Sequence, residues 1–174
     1  MKILAFAASG SKKSINQALV QYIGSLATNH EVIIEDISTL SIPLYTEDIE
    51  KEIGIPEVVS NFHEKIQGVD AVIISFAEHN GSYTAFFKNL FDWLSRKQSN
   101  FLKEKQVYLF AASSGARGGQ SVLSAASERF PRHGAEVKCS ISIPFFNENF
   151  DLESKRITNQ EFDNEILKGL GELV

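Results

Sequence analysis

Two repeats of apolar residues alternate along the chain. Runs of strand length occur at Ile3 to Ala8, Glu31 to Ile37, Ala71 to Phe76, Gln106 to Ala112 and Ala135 to Ile143. Between them, apolar residues recur every three or four positions, which is the repeat of one helix face. Ile15, Leu19, Ile23 and Leu26 predict a helix from Ser14 to about Ala27. Val58, Val59, Phe62 and Ile66 predict another that begins near Pro56, a residue suited to a first helical turn, and reaches about Gln67. Further helices are predicted over Tyr83 to Ser95, from Gly119 to about Arg132, and over Gln160 to Leu173. Leu40 to Glu50 shows no clear period and reads as a long connection.

Strands alternating with helices predict an α/β fold: a three-layer, doubly wound, five-stranded parallel sheet with right-handed crossovers, in a single domain over residues 1–174. The run Ala-Val-Ile-Ile-Ser-Phe is apolar throughout, as a central strand covered on both faces must be. The connections richest in Ser, Gly and Asn follow strands one, three and four. In the flavodoxin-like order 2-1-3-4-5 those strands are neighbours, so their turns converge on one crevice beyond the carboxyl ends, where ligands of such sheets settle.

The first of these turns, Ser9-Gly-Ser-Lys-Lys-Ser-Ile-Asn16, is suited to an anion. Backbone N–H groups at a helix start have no intrahelical partner, and the peptide dipoles leave partial positive charge there. Ser9, Ser11 and Ser14 add hydroxyls, Asn16 an amide, and Gly10 a tight turn. The plain reading of the same residues is Ser14 as an ordinary N-cap with the lysines solvated.

Charge and cysteine content narrow the function classes. With 17 Lys and Arg against 22 Asp and Glu, the formal charge is -5, which disfavours nucleic acid as a partner. The lone Cys139 lies in a strand-like run and reads as a small core residue. No apolar run approaches the roughly 20 residues that span a bilayer, so a soluble cytoplasmic protein is expected. His30, His63 and His133 lack metal-ligand spacing, and no metal site is expected.

Three motifs in order resemble the NADPH-dependent FMN reductase family, which has the flavodoxin-like fold and includes chromate and quinone reductases. Ala8 to Asn16 resembles its Gly-Ser-x-Arg-x-x-Ser-x-Asn phosphate loop. Ala77-Glu-His-Asn-Gly-Ser82 with Lys88-Asn-Leu-Phe-Asp-Trp-Leu-Ser95 resembles Pro-Glu-Tyr-Asn-Gly-Ser and the Lys-Asn-x-x-Asp-Trp helix. Ser113 to Gly119 resembles its glycine-rich third loop, and Ile42 to Asp48 its Leu-Pro-x-Tyr-x-x-Asp segment. Ser11 stands where the family has Arg, Ala77 where it has Pro, and His79 where it has Tyr. The resemblance implies that Ser9, Ser11, Ser14, Ile15 and Asn16 hold the FMN phosphate, with Lys12 or Lys13 supplying a point charge and cofactor retention weakened. It further implies that Ala77, Glu78, His79, Asn80 and Gly81 lie along the isoalloxazine, and that Ser113, Ser114, Gly115 and Gly119 border it from the other side. Arg117 is a candidate for the nicotinamide nucleotide's phosphate or a solvated residue, and Glu78 and Asp92 have helix capping or surface hydrogen bonding as their plain alternative.

The implied activity is hydride transfer from NAD(P)H to flavin N5, then electron transfer to a small-molecule acceptor: a quinone, free flavin, azo compound or metal oxyanion. A flavodoxin-type electron carrier and a non-catalytic flavin-binding module are the alternatives. Phe86, Phe87, Leu90, Phe91, Trp93 and Leu94 cannot all face the sheet, which predicts a homodimer or homotetramer. Tyr45, Trp93 or the cluster of Phe145, Phe146 and Phe150 is expected near the contact.

Overall fold

The computed structural model describes residues 1–174. β1 (Lys2–Ala8) leads to α1 (Ile15–Leu26), β2 (Glu31–Glu35), α2 (Glu47–Ile53), α3 (Glu57–Gln67) and β3 (Ala71–Phe76). A hairpin of β4 (Glu78–His79) and β5 (Ser82–Tyr83) precedes α4 (Ala85–Lys97), β6 (Gln106–Ala112), α5 (Gln120–Arg129) and β7 (Glu136–Ile143). The chain ends with α6 (Phe146–Asn149), β8 (Phe150–Asp151), β9 (Arg156–Ile157) and α7 (Gln160–Leu170).

The main sheet is parallel throughout, in the order β2-β1-β3-β6-β7. This is the order expected from the sequence, and it puts the strands that bear the polar turns side by side. Successive side chains of a strand point to opposite faces, so Leu4, Phe6 and Ala8 enter one apolar layer and Ile3, Ala5 and Ala7 the other. α3, α4 and α5 cover the first face, and α1 and α7 the second. Central β3 is buried at every position, whereas the edge strand β7 alternates over most of its length.

Local chemistry moves several boundaries. β2 stops at Glu35 rather than Ile37 because the Asp36 carboxylate accepts the Ser38 N–H at 3.0 Å and turns the chain into a 3-10 helix. The long connection contains α2, whose N-cap Thr46 accepts the Ile49 N–H at 3.1 Å ahead of an acidic first turn. α4 begins at Ala85 rather than Tyr83, because Thr84 caps it and the residues before form the hairpin. α5 gives way after Arg129 to a 3-10 turn containing Pro131, and α7 ends at Leu170. The segment 146–157, unassigned from sequence, packs Phe146 on Phe150 with ring centroids 4.6 Å apart.

The apolar faces of α4 are covered within the chain. Asn89 and Trp93, one turn apart on α4, clamp the segment before α2: Asn89 Nδ2 and Trp93 Nε1 donate to the Pro43 carbonyl at 3.0 and 2.8 Å. The Tyr45 N–H donates to Asn89 Oδ1 at 2.8 Å, and the Tyr45 ring meets Trp93 edge-on at 5.0 Å. Trp93 is fully buried in one protomer, and Phe146 and Phe150 are buried as well, whereas Phe145 is exposed. Ile42, Tyr45, Ile49 and Ile55 of the segment 40–55, which periodicity alone left without a place, pack against the layer that holds Trp93, whereas Phe146 and Phe150 lie in the opposite layer.

Candidate functional site

The turns after β1, β3 and β6 meet at one concavity of about 270 Å³. Lys13 to Asn16 line it from the first turn, Ala77 to His79 from the second, and Ala112 to Ser114 from the third. Of the residues expected to bind, Ser14, Ile15, Asn16, Ala77, Glu78, His79, Ser113 and Ser114 are thus brought together. Ser9, Ser11, Asn80, Gly81, Gly115 and Gly119 lie outside this lining. Ala112, the last residue of β6, was not expected; its signal was its place directly before Ser113.

The first turn offers donors without acceptors. Ser14 has extended backbone angles at the N-cap of α1, yet its hydroxyl makes no capping bond. The N–H groups of Ser14, Ile15 and Asn16 have no acceptor within the chain. An N-cap that leaves the helix start uncapped, with Lys12 and Lys13 exposed beside it, suits a phosphate. Ser9 is nearly buried, and its Oγ accepts the Ser11 N–H at 3.2 Å, which shapes the turn from inside. Gly10 has no positive φ; a Cβ there would lie 2.9 Å from Cγ of Phe86, so close packing on α4 requires the glycine rather than a sharp turn.

The Asn16 side chain has a task inside the protein. Its side chain is buried, and Oδ1 accepts from Ser75 Oγ at 2.7 Å and from the Ala112 N–H at 2.8 Å. Nδ2 donates to the Ala112 carbonyl at 3.1 Å. The amide thus ties the start of α1 to β3 and β6, and the Asn16 backbone N–H is left without an acceptor.

The second turn is a two-residue hairpin in which Asn80 and Gly81 take φ of 51° and 75°. The positive φ expected at these residues is therefore present, as a tight hairpin demands. His79 is exposed at the rim, and Glu78 is partly buried with its carboxylate turned toward α5. In the third turn the N–H groups of Ser114 and Gly115 have no acceptor, and nothing lies within 4 Å of a Cβ built on Gly115. Gly119 instead points into the protein: φ is 81°, and a Cβ would stand 2.7 Å from that of Ala111. It serves strand packing at the N-cap of α5.

Away from the concavity, Asp92 pairs with Lys88 at 2.6 Å on the surface of α4. Burial pushes the Cys139 thiol up to about 12, so it is a neutral thiol at neutral pH. No helix is long and apolar enough to cross a membrane.

The family model described as NADPH-dependent FMN reductase matches residues 1–147. A protein of Mycoplasma pneumoniae described as an uncharacterized MG342 homolog is 29% identical over 157 residues, covering 87% of this chain and 92% of that one. A quinone reductase of Escherichia coli K12 is 31% identical over 119 residues, 68% of this chain, and the match spans 63% of its length. Among solved structures, the flavoenzyme NAD(P)H:(acceptor) oxidoreductase FerB of Paracoccus denitrificans superposes with a TM-score of 0.79 at 22% identity, covering 99% of this chain and 94% of that one. The chain belongs to the NADPH-dependent FMN reductase family and is an FMN- and NAD(P)H-dependent oxidoreductase.

Proposed function

We propose that this protein is a cytoplasmic enzyme that passes electrons from NAD(P)H to a quinone through FMN held between the three turns. The observation that carries the proposal is the set of backbone donors left without acceptors around one concavity: Ser14, Ile15 and Asn16 in the first turn and Ser114 in the third, with Gly115 next to it in the chain. The first set, with the Ser14 hydroxyl and the Lys12 and Lys13 ammonium groups, suits a dianionic phosphate. The second suits the carbonyl edge of a flat heterocycle. Bound FMN supplies the hydride and electron chemistry, so the protein needs no nucleophile. The chain's own residues bind the phosphate, orient the ring between Ala77–His79 and Ala112–Ser114, and leave one face open at the exposed rim.

The concavity, about 270 Å³, is small for a whole flavin, so a bound ring would need a further wall. A homodimer, or a tetramer built from it, supplies one. Between α4 and α5 runs a groove of about 420 Å³ in which Tyr83 Oη and His133 Nε2 are buried without partners. Burial pushes the Tyr83 hydroxyl up to about 12, with the Arg129 charge pulling the other way. Lys88, Arg129 and Arg132 share this groove with Asp92 and Glu128, the mixed signs that a self-complementary twofold contact uses. Sedimentation at micromolar concentration should show a dimer or larger; a strict monomer would contradict this part.

Anaerobic titration of the FMN-loaded protein with NADPH or NADH tests the activity. Bleaching of the flavin absorbance, reversed by a quinone, is expected. Flavin that neither nucleotide reduces would sink the proposal.

A further inference from the structure

We infer that Glu78 is a positioning residue that sets the width of the flavin slot, pinning the second turn to the third through its carboxylate. The inference rests on the flavin reading above. Ala77 to His79 and Ala112 to Ser114 line the same concavity, so the relative position of the second and third turns would set the room left for a planar ring.

The two sides differ in how firmly they are held. β6 is paired on both sides by β3 and β7, and Gly119 seats the start of α5 against Ala111 with no room for a Cβ. The β4–β5 hairpin, in contrast, pairs only Glu78 with Tyr83 and His79 with Ser82, and a hairpin of that size has little stability of its own. Its position depends on what anchors it.

Glu78 anchors it at both oxygens. Oε2 accepts the Val122 N–H at 2.9 Å, and Oε1 lies 3.6 Å from Nη2 of Arg117 in the third turn. The Val122 N–H is in the first turn of α5, where helices leave donors unpaired, and the N-cap Gly119 has no side chain to take it. A carboxylate there also meets the positive end of the peptide dipoles. The Glu78 side chain is 10% exposed, so this link is partly shielded from water, whereas Arg117 is 75% exposed and adds less. Glu78 therefore acts on the flavin through the wall it holds, with its carboxylate committed to α5 and the third turn.

The test is FMN binding followed by quenching of flavin fluorescence, with the bound flavin's visible spectrum and the melting temperature of the FMN-free protein measured alongside. Glu78→Ala should weaken FMN binding about tenfold and shift the bound spectrum toward that of free FMN. Glu78→Gln keeps an oxygen for the Val122 N–H and should bind within about threefold of the wild type, as should Arg117→Ala. A Glu78→Ala protein with wild-type affinity and spectrum would overturn the inference even if its melting temperature fell, because that is the pattern of a purely structural cap. Should Glu78→Ala fail to fold, Glu78→Asp carries the test: one methylene shorter, it should weaken binding by at least about threefold, and unchanged binding would overturn the inference. A wild-type protein that binds no FMN would instead sink the flavin reading itself.

Discussion

The clamp on α4 and the slot above the sheet both set backbone and side-chain polar groups where a helix meets a connection, and end in opposite states. At the clamp, Asn89, Trp93, Pro43 and Tyr45 satisfy one another, and Trp93 is buried. At the slot, donors on Ser14, Ile15, Asn16 and Ser114 end without acceptors. Both regions lie in family-like motifs, so the motif alone does not separate architecture from binding. What separates them is whether polar groups are already paired within the chain, since native chains pair the great majority of those they bury. The criterion also divides residues inside the slot: the Asn16 amide and the Glu78 carboxylate are spent on the protein, the Ser14 hydroxyl is not.

Substitutions on each side should break the two regions differently. Trp93→Ala should have the largest effect, about 3–5 kcal/mol of unfolding free energy by urea titration, while the folded fraction still binds FMN. Asn16→Ala comes next. It strands the buried Ser75 hydroxyl and both backbone groups of Ala112, and should cost about 2–4 kcal/mol, with weaker FMN binding as the first and third turns separate. Ser14→Ala should leave stability within about 0.5 kcal/mol because its hydroxyl caps nothing, yet weaken FMN binding about five- to tenfold. An Ser14→Ala protein that loses stability and keeps its affinity would reverse the comparison.

The smallest effect concerns pH. His63 on α3 is buried with Nε2 unpartnered, and burial, reinforced by the Lys97 charge, holds its pKa below the usual 6.5. The unfolded chain then binds the extra proton more readily, so this contribution to stability is present above pH 6.5 and is lost as pH falls through the folded value. Denaturant titrations below pH 6.5 should show His63→Phe less sensitive to acid than the wild type; equal slopes would refute the assignment.

Much of this was legible in the chain. Strand-length apolar runs and helical stripes are set by local periodicity, so the sheet and its order followed, as did the meeting of the three turns. Asn80-Gly81 announced positive φ because few other residues accept it. What stayed hidden depends on pairing across long separations. Asn16 reads as a ligand until its partners Ser75 and Ala112 are known, and Gly10 and Gly119 read as loop glycines until Phe86 and Ala111 are seen against them. The short, acidic α2 and its neighbours carry too weak a period to reveal that they pack against the layer holding the aromatic residues of α4.

Parallel equilibrium titrations with FMN and riboflavin, which share the ring and differ in the phosphate, test the central claim most directly. With the phosphate on the unpaired donors of the first turn, FMN should bind at least about tenfold more tightly at low salt, and the advantage should shrink as salt rises. Equal affinities for the two flavins, or an advantage for FMN that Ser14→Ala leaves intact, would contradict it.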